Sequence, residues 1–154
     1  MASKDLVLDG IDKQILNALM KDARMSLTAI GRDIGISSVA VNQRIKKLEQ
    51  SGLIDGTKLV INPKIIGYRT EAFVGVFLDA SSKYKEAINR LKEIPEVTES
   101  HYTTGNYAIL LKILCRDNEH LMQVLNNQIQ KIKGVSRTET FISLEQQISR
   151  QIKL

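Results

Sequence analysis

Residues 26–52, SLTAIGRDIGISSVAVNQRIKKLEQSG, contain two short helical patterns separated by a glycine. In the first pattern, Leu27, Ile30 and Ile34 recur at the spacing of one buried helical stripe. Gly35 then interrupts the pattern, as glycine commonly does at the end of a helix. The stretch therefore predicts a short amphipathic helix followed by a tight turn.

The second pattern begins after the serine pair Ser37 and Ser38. Either serine can cap a helix by accepting a hydrogen bond from a backbone N–H of the next turn. The pattern ends at Ser51-Gly52, a usual C-terminal stop. Two helices joined by a tight, glycine-containing turn form the helix-turn-helix motif. The inward stripe of the second helix consists of Val41, Ile45 and Leu48.

An earlier helical stripe, in residues 6–23, gives this pair a third surface to pack on. Asp9 precedes the stripe and Asp12 follows three residues later, which resembles a capping box with the shorter acid in place of Glu. We expect a small three-helix core. Its members are Leu16, Leu19, Ile30, Ile34, Val41, Ile45 and Leu48.

The outward face of the second helix carries short polar, amide and cationic side chains, with Glu49 as the nearby acid. An amide can form a bidentate pair with adenine, serine can bond either type of base edge, and Arg44 and Lys47 suit phosphates. An ordinary amphipathic hairpin with a solvated face would show the same pattern. The DNA-binding interpretation assigns Ser37, Ser38, Val39, Asn42, Gln43, Arg44, Lys46 and Lys47 to the contact.

Residues 53–61 place apolar and β-branched side chains around an Asp-Gly pair, which is a hairpin signal. A two-stranded ribbon directly after the second helix would be a wing, where Lys58 either reaches the phosphate backbone or is simply solvated. Pro63 then starts a connector, because proline breaks both helices and central strands. We expect a winged helix-turn-helix domain at residues 1–62, a linker at 63–69 and a second domain at 70–154.

The composition is that of a folded, mildly basic protein. Hydrophobic residues make up 43% of 154, which permits a packed core, and the net charge of +5 is compatible with a polyanionic partner without requiring one. The single Cys115 excludes an internal disulfide and indicates a buried, inert thiol in a reducing compartment. No apolar run reaches membrane-spanning length and the N-terminus lacks a signal-peptide core, so we expect a cytoplasmic protein without a membrane partner.

The second domain alternates strand and helix patterns. Strands are expected at residues 72–78, 97–103, 107–115 and 135–144, and helices at 84–94 and from the cap Asp117 to the stop at Gly134. The order βαββαβ predicts a ferredoxin-like sandwich, in which a four-stranded antiparallel sheet carries both helices on one face. The expected fold class is therefore α+β.

The expected sheet is apolar on both faces. Phe73 and Phe77 lie opposite Val74 and Val76 on the first strand, and apolar residues also occupy both sides of the third. Because the helices cover only one face, the other needs a cover, and a second copy of the chain is the simplest candidate. We expect a homodimer joined face to face through its sheets, with residues 145–154 as an added strand or an arm across a partner.

Two features could bind a small molecule. One is the hairpin at residues 102–107, which concentrates hydroxyls, an amide and a glycine that permits close backbone approach, although a plain turn also uses glycine. The other is Gln128 on the apolar stripe of the last helix, where an amide needs either a ligand or protein partners. The candidate residues are Tyr102, Thr103, Thr104, Gly105, Asn106, Tyr107 and Gln128.

The sequence contains no recognisable catalytic, cofactor or metal constellation. His101 and His120 stand alone, without cysteines or clustered carboxylates at ligand spacing. Neither a P-loop nor a nucleophile elbow occurs. We therefore expect a binding protein without metal or cofactor, and not an enzyme.

A set of short motifs runs along the full length of the chain. They are Leu8-Asp9 to Ile15-Leu16, Ala23-Arg24, Ile36-Ser37 with Arg44-Ile45 and Leu48-Glu49, Gly52-Leu53-Ile54, Asn62-Pro63 to Gly67, Gly105-Asn106-Tyr107, and Gly134-Val135 with Thr138-Glu139-Thr140. Together they resemble the Lrp/AsnC family of bacterial and archaeal transcription regulators, also called feast/famine regulators. Residues 102–107 followed by AILLKILCR are most similar to asparagine-responsive members.

The resemblance implies a regulator that binds double-stranded DNA at a pseudo-palindromic operator, forms dimers and often assembles into octamers. It also implies amino-acid effectors bound between dimers near the hairpin of the second and third strands. Many members carry Asp after the tyrosine of the Gly-x-Tyr motif, where this chain has Ala108, which joins the effector-binding candidates. A leucine-type response is therefore not expected. Asparagine is the first candidate, and another amino acid remains open.

Two other functions are alternatives to an effector-gated regulator. An architectural DNA-wrapping protein with weak sequence preference would bind random or curved DNA tightly. An enzyme on the same two-domain plan, as in sirohaem decarboxylases, would carry catalytic His and Arg residues in a large cavity, whereas histidines are sparse here.

Overall fold

The computed structural model describes residues 7–154. Its chain divides into two compact units. One consists of the residues up to Val60 together with Ser149–Leu154, and the other of Ile61–Ile148. The first unit contains the helix-turn-helix motif and the second contains a four-stranded sheet.

Three helices form the first unit. They are α1 (Gly10–Lys21), α2 (Leu27–Ile34) and α3 (Ser38–Gln50). Each contributes a fully buried residue to one core, namely Ile15, Ile30 and Val41. Leu48 of α3 is also buried. The predicted helix-turn-helix motif and its three-helix core are confirmed.

Side-chain caps fix where these helices begin. The Asp12 N–H donates to Asp9 Oδ1 at 2.7 Å, and the Asp9 N–H donates to Asp12 Oδ2 at 3.3 Å, so the expected capping box is present. Ser37, and not Ser38, caps α3, since its Oγ accepts from the Ala40 N–H at 3.1 Å. The start of the second helix is therefore set by the first serine of the pair.

The turn between α2 and α3 depends on two glycines. Gly35 ends α2 with φ +83°, a left-handed conformation that favours glycine. Gly31 lies within α2, and a Cβ there would come 2.5 Å from the carbonyl oxygen of Ile36. The turn can therefore fold back onto α2 only because Gly31 has no side chain.

The predicted hairpin at residues 53–61 is wrong, since none of these residues lies in a strand. Gly56 has φ +141° but Asp55 has a negative φ, and the two-residue hairpin turn that favours Asp-Gly needs positive φ at both positions. The side chain of Val60 is 91% exposed. An isolated two-stranded ribbon is only marginally stable in water. Because the apolar side chains here stay exposed, no surface of the described chain packs on the segment to stabilise it as a wing. Lys58 lies in this exposed segment.

A connector and a four-stranded sheet begin the second unit. The connector contains a 3-10 turn at Pro63–Ile66. The strands are β1 (Thr70–Leu78), β2 (Val97–Tyr102), β3 (Ile109–Cys115) and β4 (Val135–Ser143). They are ordered β2-β3-β1-β4, and all neighbours are antiparallel. With α4 (Tyr84–Leu91) and α5 (Asn118–Val124), this is the expected ferredoxin-like βαββαβ arrangement.

The two faces of the sheet differ in what covers them. On the helix side, Leu111 and Val74 are fully buried with Leu91 of α4 and Val124 of α5. On the other side, Phe73 of β1 faces Phe141 of β4 across the pair, and they are 37% and 54% exposed. This second face is mixed, because Glu71 and Lys112, whose side chains pair at 3.1 Å, lie on the same side of the sheet as Phe73. The prediction of an apolar second face is therefore confirmed only around the phenylalanines.

The last helix changes its geometry partway along. After α5 the chain forms a π-helical turn at Leu125–Ile129, in which the Gln130 N–H donates to the Leu125 carbonyl at 2.9 Å. This i to i+5 bond inserts one residue relative to an α-helix. As a result Ile129 is buried and Gln128 is exposed. The expectation that Gln128 lies on the buried stripe is wrong for this reason.

Residues 144–154 contain neither helix nor strand, so the added strand expected there is not formed. Their apolar side chains, including Leu144, Ile148 and Ile152, are exposed. An arm across a partner stays a prediction.

Substituting Gly31 tests the close approach in the helix-turn-helix motif. We expect Gly31→Ala to lower the free energy of unfolding by about 1–3 kcal/mol, because the added methyl group overpacks against backbone. Urea unfolding followed by circular dichroism measures it. Gly10→Ala is the matched control, since nothing lies within 4 Å of a Cβ there. Equal stability of the two variants would contradict the role of Gly31.

The buried Cys115 thiol gives a second test. Burial, followed by the negative charges of Glu96 and Asp117, raises the pKa of Cys115 from 9.0 to about 11. We expect a thiol reagent at pH 8 to modify it only after unfolding. Between pH 9 and 11 the unfolded thiol loses its proton while the folded one keeps it, so stability should fall as the pH rises. Cys115→Ala should not lose stability over this pH range. Rapid labelling of Cys115 in the folded protein would contradict the interpretation.

Candidate nucleic-acid interface and ligand-binding hairpin

The core decides which side of α3 faces outward. Val41 and Leu48 are buried, so the opposite side of the helix meets solvent. Val39, Gln43 and Lys46 follow one another at helical spacing on that side, and all three are exposed. They form the outermost row of the helix.

The other predicted contact residues of α3 flank this row. Ser38 and Asn42 are half-buried, whereas Lys47 is exposed. Ser37 is exposed and uses its hydroxyl oxygen as the helix cap, which leaves the hydroxyl hydrogen available as a donor. Within residues 7–154, no ion pair engages Lys46 or Lys47. The face thus brings together amide, hydroxyl and unpaired cationic groups.

Arg44 is placed differently from its neighbours. Its Nη1 lies 2.6 Å from Asp9 Oδ2 and 2.7 Å from Asp12 Oδ1, both at the start of α1. Both contacts are made by Nη1, so two carboxylates share one nitrogen of the guanidinium. A contact between Arg44 and a DNA phosphate stays a prediction. The helix cap accounts for Asp9 and Asp12, and no local pattern indicates that an arginine 32 residues beyond Asp12 would join them.

These contacts also perturb ionisation. The backbone N–H of Asp12, and then the Arg44 guanidinium, lower the pKa of Asp9 below its usual 3.8. In return the bonds from Arg44 to Asp9 and Asp12 raise the pKa of Arg44. Asp9 and Arg44 therefore each stabilise the charged form of the other. A groove of about 440 Å³ lies beside them, lined by Asp9, Ala40, Gln43, Arg44 and Lys47.

The predicted ligand-binding hairpin connects β2 to β3. The Thr103 N–H donates to the Ala108 carbonyl at 3.0 Å, and the Thr103 hydroxyl donates to the Tyr107 carbonyl, which closes the loop. Thr104 and Asn106 project from it and are exposed. The hairpin therefore presents hydroxyl and amide groups to the outside.

Tyr107 fixes this hairpin to the sheet. Its ring lies on Gly75 of β1, where a Cβ would come 2.5 Å from the ring. It also meets Phe77 edge-on, with ring centroids 5.8 Å apart, and the Arg137 guanidinium lies 3.9 Å from the Phe77 centroid. Neither Gly75 nor Arg137 was predicted at this site. A glycine in the middle of an apolar strand was the available signal, because it indicates close approach of another group.

Tyr102 forms the other side of the hairpin. Its ring lies 4.5 Å from that of Tyr84 at the start of α4, and it is 66% exposed. Tyr84 was also missed, since its place in a helical stripe suggested only a core role. The two rings form an exposed aromatic surface beside the polar loop.

Within the described chain, neither backbone conformation nor lack of space requires a glycine at position 105. Its φ is not positive, and nothing lies within 4 Å of a Cβ built on it. A plain turn that needs glycine for its backbone conformation is therefore not the explanation. The open space at Gly105 is consistent with close approach of a group from outside the chain.

Gln128 is not brought to this hairpin. It lines a separate groove of about 580 Å³ between α4 and the π-helical turn. Other lining residues are Glu86, Arg90, Glu93, Ile94, Lys131, Ile132 and Lys133. Gln128 and the hairpin are therefore distinct surfaces of the single chain.

The histidines have structural partners. His101 Nε2 lies 3.6 Å from Glu99, and His120 Nε2 lies 3.2 Å from Glu96 while its Nδ1 accepts from the Arg116 N–H at 3.3 Å. Within residues 7–154, no cluster of three or more His, Cys, Asp or Glu side chains could hold a metal ion. Across the same range, no helix is long and apolar enough to cross a membrane.

Comparison with known proteins follows the same division of the chain. Residues 8–49 match the AsnC-type helix-turn-helix domain, and residues 71–152 match the Lrp/AsnC ligand binding domain. Regulatory protein AsnC of Escherichia coli strain K12 is 37% identical over 150 residues, which covers 97% of this chain and 99% of that protein.

Solved structures give the same result. The structure of E. coli AsnC superposes with a TM-score of 0.92 at 38% identity and covers 97% of this chain and 100% of that one. A feast or famine regulatory protein from M. tuberculosis, complexed with L-methionine, gives a TM-score of 0.87 at 30% identity, covering 96% and 100%. On these matches of sequence and fold, the chain belongs to the Lrp/AsnC family of helix-turn-helix transcription regulators.

Proposed function

We propose that the chain is a sequence-specific DNA-binding transcription regulator whose DNA binding responds to an amino acid. The observation that carries the proposal is the outward polar row of α3, which combines exposed amide and cationic groups on a helix-turn-helix motif. The exposed hairpin around Gly105 supplies a separate surface for a small ligand. The proposed activity is one of binding and involves no catalysis.

DNA recognition would use α3 in the major groove, the usual position of the second helix in this motif. Gln43 can form a bidentate pair with adenine, and the exposed methyl groups of Val39 can contact a thymine methyl. Ser38 and Asn42 border this row. Lys46, Lys47 and Ser37 would bond phosphates, which gives affinity and salt dependence without sequence preference.

A homodimer would present two such helices to a pseudo-palindromic operator. The uncovered apolar sheet face around Phe73 and Phe141 supports face-to-face pairing, because large apolar patches are rarely left in water. Half-sites would then lie about one helical turn, roughly 34–36 Å, apart. Further assembly to an octamer is part of the proposal and rests on family resemblance.

The effector would bind at the hairpin between dimers. Backbone groups near Gly105 suit a carboxylate, while the hydroxyls and amide of Thr103, Thr104 and Asn106 suit an ammonium and a polar side chain. Asparagine is the first candidate because of similarity to AsnC. Methionine is the second, since a relative was solved with it. A DNA-binding regulator works where the chromosome lies, so we place the protein in the cytoplasm.

The proposal is tested by selecting duplexes from a random library and measuring affinity with and without a panel of amino acids. Specific binding shifted by one amino acid is the expected result. Specific binding indifferent to the whole panel would remove the effector from the proposal. Equal affinity for selected and random DNA would favour the architectural alternative.

Two substitutions on α3 separate sequence choice from general affinity. Gln43→Ala should reduce the preference for the selected duplex by about 1–3 kcal/mol, because a base contact is lost. Lys47→Ala should weaken binding to all duplexes and reduce the slope of log affinity against log salt by about 0.9 per protomer. Fluorescence anisotropy over a salt series measures both.

Lys85→Ala is the control for Lys47→Ala, since Lys85 is an exposed lysine of α4 in the other unit. It should leave the salt slope unchanged. If Gln43→Ala and Lys47→Ala each lower the affinity for selected and for random duplexes by the same factor, the roles given to these residues are wrong.

Gly105→Ala tests the hairpin as a ligand site. The open space around Gly105 predicts no loss of stability. If a ligand approaches the backbone there, its affinity should fall at least tenfold, which calorimetric titration with asparagine and with methionine can measure. Gly10→Ala serves as a control that should bind normally. Unchanged titrations for Gly105→Ala would exclude this part of the hairpin from the effector site.

A further inference from the structure

One ion-pair cluster joins the recognition helix to the first helix of its unit. Arg44 extends from α3 and places Nη1 between Asp9 Oδ2 and Asp12 Oδ1, at 2.6 and 2.7 Å. We call these three residues the Arg44 clamp. The hydrogen bonds are charge-assisted and therefore short and strong. They connect α3 to the α1 N-terminus at one defined place.

Asp12 is the buried member of the clamp. Only 7% of the residue is exposed, and a buried carboxylate is costly unless it is paired. One of its oxygens accepts from Arg44 and the other from the Asp9 N–H. A helix cap alone would not require an arginine from another helix. Burial of Asp12 under Arg44 therefore indicates that the contact between the helices is specified.

The clamp lies among the residues that the proposed function assigns to DNA. Gln43 precedes Arg44 in α3 and Lys47 follows one turn later. Both line the same groove as Asp9 and Arg44. A change in how α3 sits on α1 would therefore move Gln43 and Lys47 together.

The charge of the clamp argues against a phosphate contact. Two carboxylates and one guanidinium give the cluster a net charge of −1. A DNA phosphate approaching Arg44 would meet both acids within about 3 Å of the same nitrogen. Coulomb repulsion from the acids offsets the attraction of the single cation.

We infer that Arg44 is a positioning residue for DNA recognition: through Asp9 and Asp12 it fixes α3 on α1, so that Gln43 and Lys47 reach DNA in one register. The inference rests on the proposed DNA-binding function. A positioning role and a phosphate contact predict opposite changes in DNA affinity when one of the acids is removed. Removing an acid beside a phosphate contact strengthens DNA binding, whereas removing an acid from the clamp weakens specific binding.

Asp12→Asn and Arg44→Met provide the test. Asn has the shape of Asp, and its oxygen can still accept from the Asp9 N–H. Met keeps an unbranched apolar stem in place of Arg44 and removes the guanidinium. Affinities are measured for a duplex that the wild-type chain selects from a random library and for random duplexes. Each variant should lose about tenfold in the ratio of selected to random affinity. The double variant should lose no more than Arg44→Met, and all salt slopes should stay within 0.5 of wild type.

The ratio separates positioning from a loss of folding. An unfolded fraction lowers both affinities equally and leaves their ratio unchanged. If Asp12→Asn does not fold, Asp9→Asn replaces it, because Asn is as good a helix cap as Asp. Its one oxygen can keep the bond from the Asp12 N–H, while the charge and the acceptor for Arg44 are lost. Asp33→Asn is the matched control, since Asp33 forms an exposed pair with Arg32 on α2. It should leave the ratio unchanged.

Several results would overturn the inference. One is tighter binding by Asp12→Asn, or a ratio equal to wild type in both variants. Another is a salt slope reduced by about 0.9 per protomer in Arg44→Met, which would show that Arg44 contacts phosphate. A wild-type chain that selects no sequence would instead refute the proposed function, and the two failures are thereby distinguishable.

Discussion

Packing of Val41 and Leu48 against the other two helices determines what α3 can show to a partner. Once these side chains are buried, helical geometry leaves Val39, Gln43 and Lys46 facing solvent, and no other side of α3 is available for recognition. The close approach at Gly31 holds the preceding turn in the conformation that makes this packing possible. Recognition chemistry in this unit is thus a consequence of core packing.

In the second unit, burial likewise decides which side of the sheet stays exposed. Helices α4 and α5 bury one face of β1 and β3, and the aromatic side chains around Phe73 are left on the other. Tyr107 folds onto that open face over Gly75, which ties the loop around Gly105 to the sheet. The surfaces proposed for self-association and for a small ligand would therefore share one structural element. Coupling between ligand and assembly needs such a shared element, because a ligand changes an equilibrium only by binding its states unequally.

Periodic patterns predicted most of this fold, since burial repeats at the period of each element. The three helices, the βαββαβ order and the apolar residues on both sides of the sheet all came from such repeats. Three features were not predictable in this way. The Asp-Gly hairpin did not form, because no surface covers it. The π-helical turn rotated Gln128 out of the buried stripe. Arg44 pairs with acids that are distant in sequence. Each depends on tertiary contacts, which local pattern does not encode.

The strand order has a consequence for how the chain becomes folded. β1 is one of the two central strands, yet its partners, β3 and β4, are made long after it, and β4 is the last of the four strands. The sheet therefore cannot be completed until nearly the whole sequence has left the ribosome, whereas the three helices of the first unit depend on local contacts. The recognition unit should fold early, with the aromatic face of the sheet forming only after β4 has been made.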